Sequence, residues 1–133
     1  MTNYKFENSD KLLMNSHVGI HFVNHEGIIT YCNERELEIL GYSRDEYIGK
    51  HYSEFQLESD VVGCMICDLN EKKAIKNLPL KVKGKEKTVY MLYNSSGYFE
   101  GEEFIHTRCF ATDIEYEAYE VFKRMSPYHI KAE

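Results

Sequence analysis

Two short apolar runs, residues 19–23 and 28–32, stand near the start of the chain. The turn sequence His25-Glu26-Gly27 separates them. Short apolar runs on either side of a glycine-containing turn are typical of paired strands. The pattern therefore predicts a β-hairpin.

The spacing of apolar positions then changes to that of helices. Asn33 stops the second strand and can cap a helix over residues 33–40, in which the leucines lie on one side and the charged residues elsewhere. Those charged residues are Glu34, Arg35, Glu36 and Glu38. Gly41 is a natural residue after a helix, and Ser43 with Glu46 three residues later matches a capping box. We expect two short helices, each with its own cap.

A longer helix is predicted from Asp60 to about Ala74, capped by Ser59 or Asp60. Its apolar residues recur at i, i+3, i+4 and i+7, which is the spacing of one buried stripe. The stripe consists of Val62, Met65, Ile66 and Leu69. The same spacing is equally typical of ordinary core and of one wall of a ligand cavity.

Three further strands are expected. The pattern alternates at residues 78–82, and β-branched and aromatic residues are frequent at residues 88–96 and 103–112. Further helices are predicted before the hairpin, at residues 8–15, and after the last strand, at residues 116–125. Strands, helices and then three strands in sequence indicate an α+β fold with an antiparallel sheet.

The order of these motifs resembles the PAS domain, a sensory module of bacterial signalling proteins. The resemblance rests on the hairpin, the asparagine with its short helix, the sequences GYSRDE (41–46) and IGK (48–50), and the final strand, which ends in Thr112-Asp113-Ile114. The kinase-type pattern ends in D-I-T, whereas this chain has Glu115 after Ile114. The resemblance implies a PAS fold, a five-stranded antiparallel sheet with helices packed on one face. We expect an N-terminal helix or linker over residues 1–16, the domain over 17–114, and a helix or linker to an output domain over 115–133.

A PAS fold implies a cavity between the sheet and the long helix, the usual character of a small-molecule site. By resemblance to flavin-binding members, strand residues an even number of positions before Asp113 face that cavity, and a slip of one residue would reverse the assignment. The pocket candidates are His21, Val23, Phe55, Val62, Met65, Ile66, Leu69, Met91, Tyr93, Thr107 and Cys109.

His21 is the most chemically versatile of these candidates. An imidazole in an apolar pocket could bind a ligand carboxylate, respond to pH or ligate a metal. The alternative is a core histidine that hydrogen-bonds Tyr93 or Thr107. No second acid or nucleophile is fixed by the sequence, so we expect no catalytic residue.

The resemblance to PAS domains implies that the opposite sheet face is covered by the N-terminal helix or by a second copy of the chain, and apolar surface of this kind needs such a cover. Homodimerisation through these residues is the expectation. The candidates are Leu12, Leu13, Ile20, Phe22, His106, Arg108 and Phe110.

PAS subgroups that bind a known cofactor carry characteristic sequences, and this chain differs from two of them. The flavin-binding LOV subgroup carries the sequence NCRFLQ after its IGK, whereas residues 51–56 read HYSEFQ. Haem-binding members commonly present a histidine on the long helix, and residues 59–75 contain none. These differences argue against a cysteinyl flavin adduct and a helix-ligated haem, and the cofactor stays unknown.

The chain contains four cysteines, and no secretory signal precedes the domain. We expect free thiols. Cys64 and Cys67 have redox or metal spacing, but they lie in the middle of the predicted helix, away from the helix N-terminus that lowers thiol pKa values. Zinc would require two further ligands, which no paired spacing supplies.

The net charge of −6 leaves no basic footprint for nucleic acid or for an anionic membrane. No apolar run approaches the length of a membrane span, and we expect a cytoplasmic module.

We expect a non-catalytic sensory module of a signalling protein of histidine-kinase type. A small ligand would change the last strand, and the change would pass through Asp113 and Ile114 to the C-terminal helix. The helix would then act on a downstream kinase or other output domain. The alternatives are an unliganded dimerisation module and an enzyme that uses Cys64 or His21.

Overall fold

An antiparallel sheet of five strands organises the chain, in the order β2-β1-β5-β4-β3. The computed structural model describes residues 16–132. The strands are β1 (Gly19–Asn24), β2 (Ile29–Cys32), β3 (Ile75–Lys83), β4 (Thr88–Glu100) and β5 (Glu103–Asp113). The helices are α1 (Glu34–Leu40), α2 (Arg44–Tyr47), a 3₁₀ helix (Tyr52–Phe55), α3 (Ser59–Asn70), α4 (Tyr116–Met125) and α5 (Pro127–Ala132).

The predicted α+β architecture is confirmed, and the predicted elements from the hairpin to α4 are found in the expected order. The N-terminal helix predicted at residues 8–15, with Leu12 and Leu13, lies outside the described residues.

The register of the sheet fixes which side chains share its inner face. His21 on β1 is opposite Cys109 on β5, and Cys109 is opposite Ser95 on β4. Side chains alternate along each strand, so the residues of this row point to the same face. That face is covered by α3 and by the short helices, and together they enclose the hydrophobic core.

Asn33 joins the hairpin to α1. Its Oδ1 accepts hydrogen bonds from the backbone N–H of Glu36, at 3.0 Å, and of Ile20, at 2.9 Å. Its Nδ2 donates to the carbonyl of Val18 at 2.9 Å. Because Asn33 is completely buried, this side chain ties the first turn of α1 to β1 without help from water.

The boundaries of α3 differ from the prediction. Its N-cap is Glu58, without a capping side-chain bond, in place of Ser59 or Asp60. The helix ends at Asn70, four residues before the predicted end at Ala74. Lys72 adopts a positive φ of 65°, which reverses the chain so that β3 can start at Ile75. Alanine and lysine have high helix propensity, and the pairing of β3 with β4 overrides it here.

The C-terminal segment folds back on the domain. Tyr119 of α4 is buried and donates a hydrogen bond to Oε1 of Glu58. Helix α5, which the sequence analysis did not predict, packs against α3, where the Tyr128 hydroxyl donates to Asp68 Oδ2 at 2.5 Å. Helices α4 and α5 thus extend across β3 to α3. Among the described residues, no helix has the length and apolar character required to cross a membrane.

The two N-caps of the short helices provide a test of how α1 is attached. Asn33→Ala removes a cap and leaves buried backbone groups without partners, so we expect the free energy of unfolding to fall by about 2–4 kcal/mol. Ser43→Ala, which removes an exposed cap, is the matched control and should cost about 0.5–1 kcal/mol. Urea denaturation with an unchanged m-value measures both, and equal losses would contradict the role given to Asn33.

Candidate functional site

A cavity of about 380 Å³ lies between the inner face of the sheet and α3. Its walls are mostly apolar and come from β1, β4, β5 and α3, with a rim from the hairpin turn and the segment after α2. His25, Glu26 and Asn70 are exposed residues of its lining, so the cavity opens toward solvent between the hairpin turn and the end of α3.

The structure brings most of the predicted pocket residues together. The cavity is lined by His21, Val23, Val62, Met65, Ile66, Leu69, Tyr93, Thr107 and Cys109. Two candidates were wrongly placed. Phe55 packs against the rings of Tyr42 and Tyr47, and Met91 is fully buried in the core outside the cavity lining.

Several lining residues were missed by the sequence analysis. They belong to the hairpin turn, to the segment after α2 and to two strand or helix ends, namely Asn24, His25, Glu26, Gly27, His51, Tyr52, Gln56, Asn70 and Phe104. Loops carry no periodicity from which a direction can be predicted. The backbone hydrogen bond from Tyr52 to Gly27, 2.9 Å, is what brings this segment against the hairpin.

His21 and Glu36 form a buried ion pair beside the cavity. His21 Nδ1 lies 2.8 Å from Glu36 Oε2, and the Tyr47 hydroxyl donates to the same oxygen at 2.6 Å. Glu36 has no exposed surface and His21 is 5% exposed, so water compensates neither charge. The partner of His21 is therefore a carboxylate, and not Tyr93 or Thr107 as the sequence analysis considered.

Glu36 was assigned to the polar side of its helix and is instead completely buried. Gly19 makes this possible, because a Cβ at that position would lie 2.5 Å from Glu36 Oε1. The close approach of β1 to α1 is a tertiary feature. A helical pattern with three glutamates and one arginine does not show which of these four charged residues is turned inward.

The ion pair determines the charge states on the inner face. Burial by itself disfavours the imidazolium, but the negative charges of Cys109 and Glu36 outweigh burial and raise the pKa of His21 well above its ordinary value. Burial likewise disfavours the carboxylate, but His21 and the hydrogen bond from Tyr47 lower the pKa of Glu36. Burial, followed by the charge of Glu36, raises the pKa values of Tyr47 and Tyr93 well above the ordinary range, so both phenols stay neutral donors.

Metal-ligating side chains do not gather at this site. Within residues 16–132 there is no group of three or more His, Cys, Asp or Glu side chains that could hold a metal ion. Cys64 is half-buried and Cys67 is exposed on α3, and neither belongs to the cavity lining.

On the outer face of the sheet, aromatic and cationic side chains stack on one another. Phe22 stacks on His106 with ring centroids 4.7 Å apart, and the Arg108 guanidinium lies 4.2 Å from the Tyr98 ring centroid. Phe110 is 38% exposed, whereas Ile20, predicted for the same face, is only 1% exposed. Of the proposed outer-face residues in the described part of the chain, Phe110 leaves the most apolar surface for a partner.

The end of β5 is fixed at both of the proposed relay residues. Asp113 Oδ1 lies 3.4 Å from the Arg35 guanidinium of α1. The backbone N–H of Ile114 donates to the carbonyl of Tyr90 at 2.8 Å. The start of α4 is therefore tied to both α1 and β4.

The ion pair gives folding stability a defined pH dependence. The raised pKa of His21 contributes stability that is fully present below its ordinary value of 6.5 and is lost as pH rises through the folded value. The lowered pKa of Glu36 contributes stability that is present above its ordinary value of 4.5 and is lost as pH falls through the folded value. The window of full contribution lies between these two ordinary values.

We therefore expect the free energy of unfolding of the wild type, relative to the double variant His21→Gln/Glu36→Gln, to decline as pH falls from about 5.5 through the lowered pKa of Glu36. The acid side is the test because, above pH 6.5, the lowered pKa of Cys109 adds stability while the raised pKa of His21 removes it. Urea titrations of both proteins measure the difference, and the subtraction removes contributions from titrating groups outside the cluster such as His106. A difference that stays constant, or that grows, as pH falls would contradict the ion pair.

This architecture is shared with known proteins. Residues 7–114 match the PAS fold family. The PAS domain of an HTR-like protein from Haloarcula marismortui superposes with a TM-score of 0.71 at 19% identity, covering 84% of this chain and 99% of that one. The PAS domain of a protein from Colwellia psychrerythraea gives a TM-score of 0.73 at 14% identity, covering 83% and 97%.

A PAS domain from a two-component sensor histidine kinase gives a TM-score of 0.70 at 9% identity, covering 86% of this chain and 100% of that one. No curated protein matches the chain in sequence. These identities show a shared fold and nothing finer. The family match over most of the chain and the five-stranded sheet in the order β2-β1-β5-β4-β3 place this protein in the PAS family of sensory domains.

Proposed function

We propose that this PAS domain binds a small, mostly apolar molecule in the cavity between its sheet and α3, and that binding acts through β5 on the C-terminal helices. The observation that carries the proposal is the cavity itself, whose apolar walls lead to a buried, charged His21–Glu36 pair. An apolar pocket with a few convergent polar groups is the usual form of a small-molecule site.

The cavity size favours a small organic ligand. A volume of about 380 Å³ lies near the lower end of the range typical of ligand pockets. The Tyr93 phenol and the His21 imidazole are donors on its wall, and Met65 on α3 is soft enough to adapt to the shape of a ligand. The best-fitting ligand is an apolar molecule with one hydrogen-bond acceptor.

A route for the signal is supported by the position of β5. Thr107 and Cys109 line the cavity, and the same strand ends at Asp113, next to α4. A ligand that shifts β5 would alter the ties from Asp113 and Ile114 to α1 and β4. It can do so only to the extent that its affinity differs between the two arrangements.

The same proposal includes the role of the domain in a signalling protein and its cellular compartment. The likeness to a PAS domain from a two-component sensor histidine kinase supports a non-catalytic regulatory role upstream of a kinase or other output domain. The free thiols of all four cysteines suit a reducing compartment such as the cytoplasm. No residue is assigned a catalytic role in this function.

Homodimerisation through the outer face of the sheet is the second candidate function. It is favoured by the exposed ring of Phe110 beside the stacked Phe22 and His106. Light scattering that shows a dimer, lost in Phe110→Glu, would support it. A monomer at all concentrations would exclude it.

Filling the cavity tests ligand binding directly. Ile66→Trp places a large ring in the cavity. We expect native mass spectrometry of the freshly purified variant to show that the retained small molecule is lost. We also expect that adding ligand no longer raises the melting temperature. Ile39→Trp is the matched control, because Ile39 is also half-buried against the core but lies outside the cavity. Wild-type protein that retains no molecule and responds to no member of a metabolite panel would count against the proposal.

The docking of α4 can be tested by hydrogen exchange. Tyr119→Phe removes the hydrogen bond to Glu58 while it keeps the ring, and amide exchange in α4 should accelerate roughly 5- to 30-fold, corresponding to about 1–2 kcal/mol. Tyr116→Phe, on the same helix but 51% exposed, should leave exchange unchanged. Equal protection in both variants would show that the Tyr119 hydroxyl does not hold α4.

A further inference from the structure

Cys109 and His21 lie side by side on the inner face of the sheet. Cys109 is directly opposite His21 across the β1–β5 ladder, and both side chains line the cavity. His21 in turn lies 2.8 Å from Glu36. A thiol, an imidazole and an orienting carboxylate in this order form the arrangement that activates a nucleophile.

The position of Cys109 sets it apart from the other cysteines. It is 2% exposed, and it lies on the cavity wall. Cys32 is fully buried outside the cavity, and burial raises the pKa of its thiol to about 11. Cys64 and Cys67 lie on α3 and are not part of the cavity lining. Of the four, Cys109 is the cysteine that a molecule inside the cavity would meet.

The surroundings of Cys109 favour a thiolate. Burial disfavours the charged form, but the charge of His21 and the polar groups of His21, Ser95 and Thr107 around the sulfur outweigh it and lower the pKa of Cys109. The thiol itself donates a hydrogen bond to Thr107 Oγ1 at 3.9 Å. A thiolate paired with an imidazolium is the reactive form of cysteine in enzymes and redox sensors.

We propose that Cys109 is a covalent capture site for small α,β-unsaturated carbonyl compounds, with His21 as the proton donor and Glu36 as a positioning residue. The inference rests on the proposed function, because the same cavity has to admit the molecule. It names the class of ligand that the cluster recognises.

The bond-forming step is a conjugate addition. The sulfur electron pair of Cys109 forms an S–C bond to the β-carbon, and the C=C π pair moves toward the carbonyl to give an enolate. The His21 imidazolium then transfers its proton to the α-carbon. Thiolate and imidazolium both become neutral while Glu36 stays a carboxylate, so total charge is conserved and no oxidant takes part.

Capture would also change the contact that holds α1 to β1. Once His21 is neutral, its attraction to Glu36 is weaker, and the hydrogen bond from Tyr47 becomes the main compensation for the carboxylate. Adduct formation on β5 and loss of the imidazolium charge on β1 would thus act on two adjacent strands. This links the chemistry to the signal route through β5.

The test uses the full chain with 2-cyclohexen-1-one as the electrophile and cyclohexanone as its saturated counterpart. Peptide mapping by mass spectrometry measures the alkylation rate of Cys109, with the exposed Cys67 as an internal reference. For an ordinary thiol the rate should fall roughly 75-fold between about pH 8 and pH 6, following its thiolate fraction. For Cys109 we expect a several-fold smaller fall, because its lowered pKa leaves more thiolate at pH 6.

Variants assign the roles within the cluster. His21→Gln should give Cys109 the steep pH profile of an ordinary thiol, and Glu36→Gln should shift the profile in the same direction. Cys109→Ser should abolish the adduct at this position while the urea midpoint and the far-ultraviolet circular dichroism stay near wild type. The wild-type comparison of Cys109 with Cys67 decides the question even if a cluster variant does not fold.

A pH profile at Cys109 as steep as that of an ordinary thiol, or an adduct that forms only in urea, would overturn the inference. Cyclohexanone separates this outcome from failure of the proposed function. If the saturated ring shifts backbone amide resonances of cavity residues and no Cys109 adduct forms, the cavity binds molecules without capturing them. If neither ring enters, the capture inference fails and ligand binding loses its support as well.

Discussion

A carboxylate that has no exposed surface requires a compensating charge and hydrogen bonds, and Glu36 receives them from His21 and Tyr47. This constraint fixes three elements against one another, since Glu36 is on α1, His21 on β1 and Tyr47 on α2. Removal of one partner would leave a buried charge alone, which typically costs about 3–5 kcal/mol. The charged group on the cavity wall is therefore also a structural tie.

The same residue connects structure with chemistry. His21 faces Glu36 on one side and Cys109 on the other, so one imidazole balances a carboxylate and shapes the state of a thiol. Cys109 lies on β5, which pairs with β1 on one side and β4 on the other. Changes at Cys109 therefore reach the strands on both sides of it.

The sequence predicted which strand residues share a face of the sheet, but it predicted the residues that line the cavity only in part. Once the hairpin and the ending of the last strand were recognised, alternation placed His21, Thr107 and Cys109 on one face. Phe55 and Met91 were wrongly assigned to the cavity lining. The direction of a side chain does not show whether it lines a cavity or fills the core. The rim was missed because the direction of loop side chains depends on contacts distant in sequence, such as that between Tyr52 and Gly27.

By itself, the sequence determined the local elements, since the caps at Asn33 and Ser43, the stripe on α3 and the residues of each strand act through neighbours along the chain. Only the tertiary structure decided that Glu36 turns inward, that α3 stops at Asn70 and that the C-terminal helices fold back across β3. Burial of a charge and docking of a helix depend on which distant groups are close in space. Periodicity and caps carry no information about that proximity.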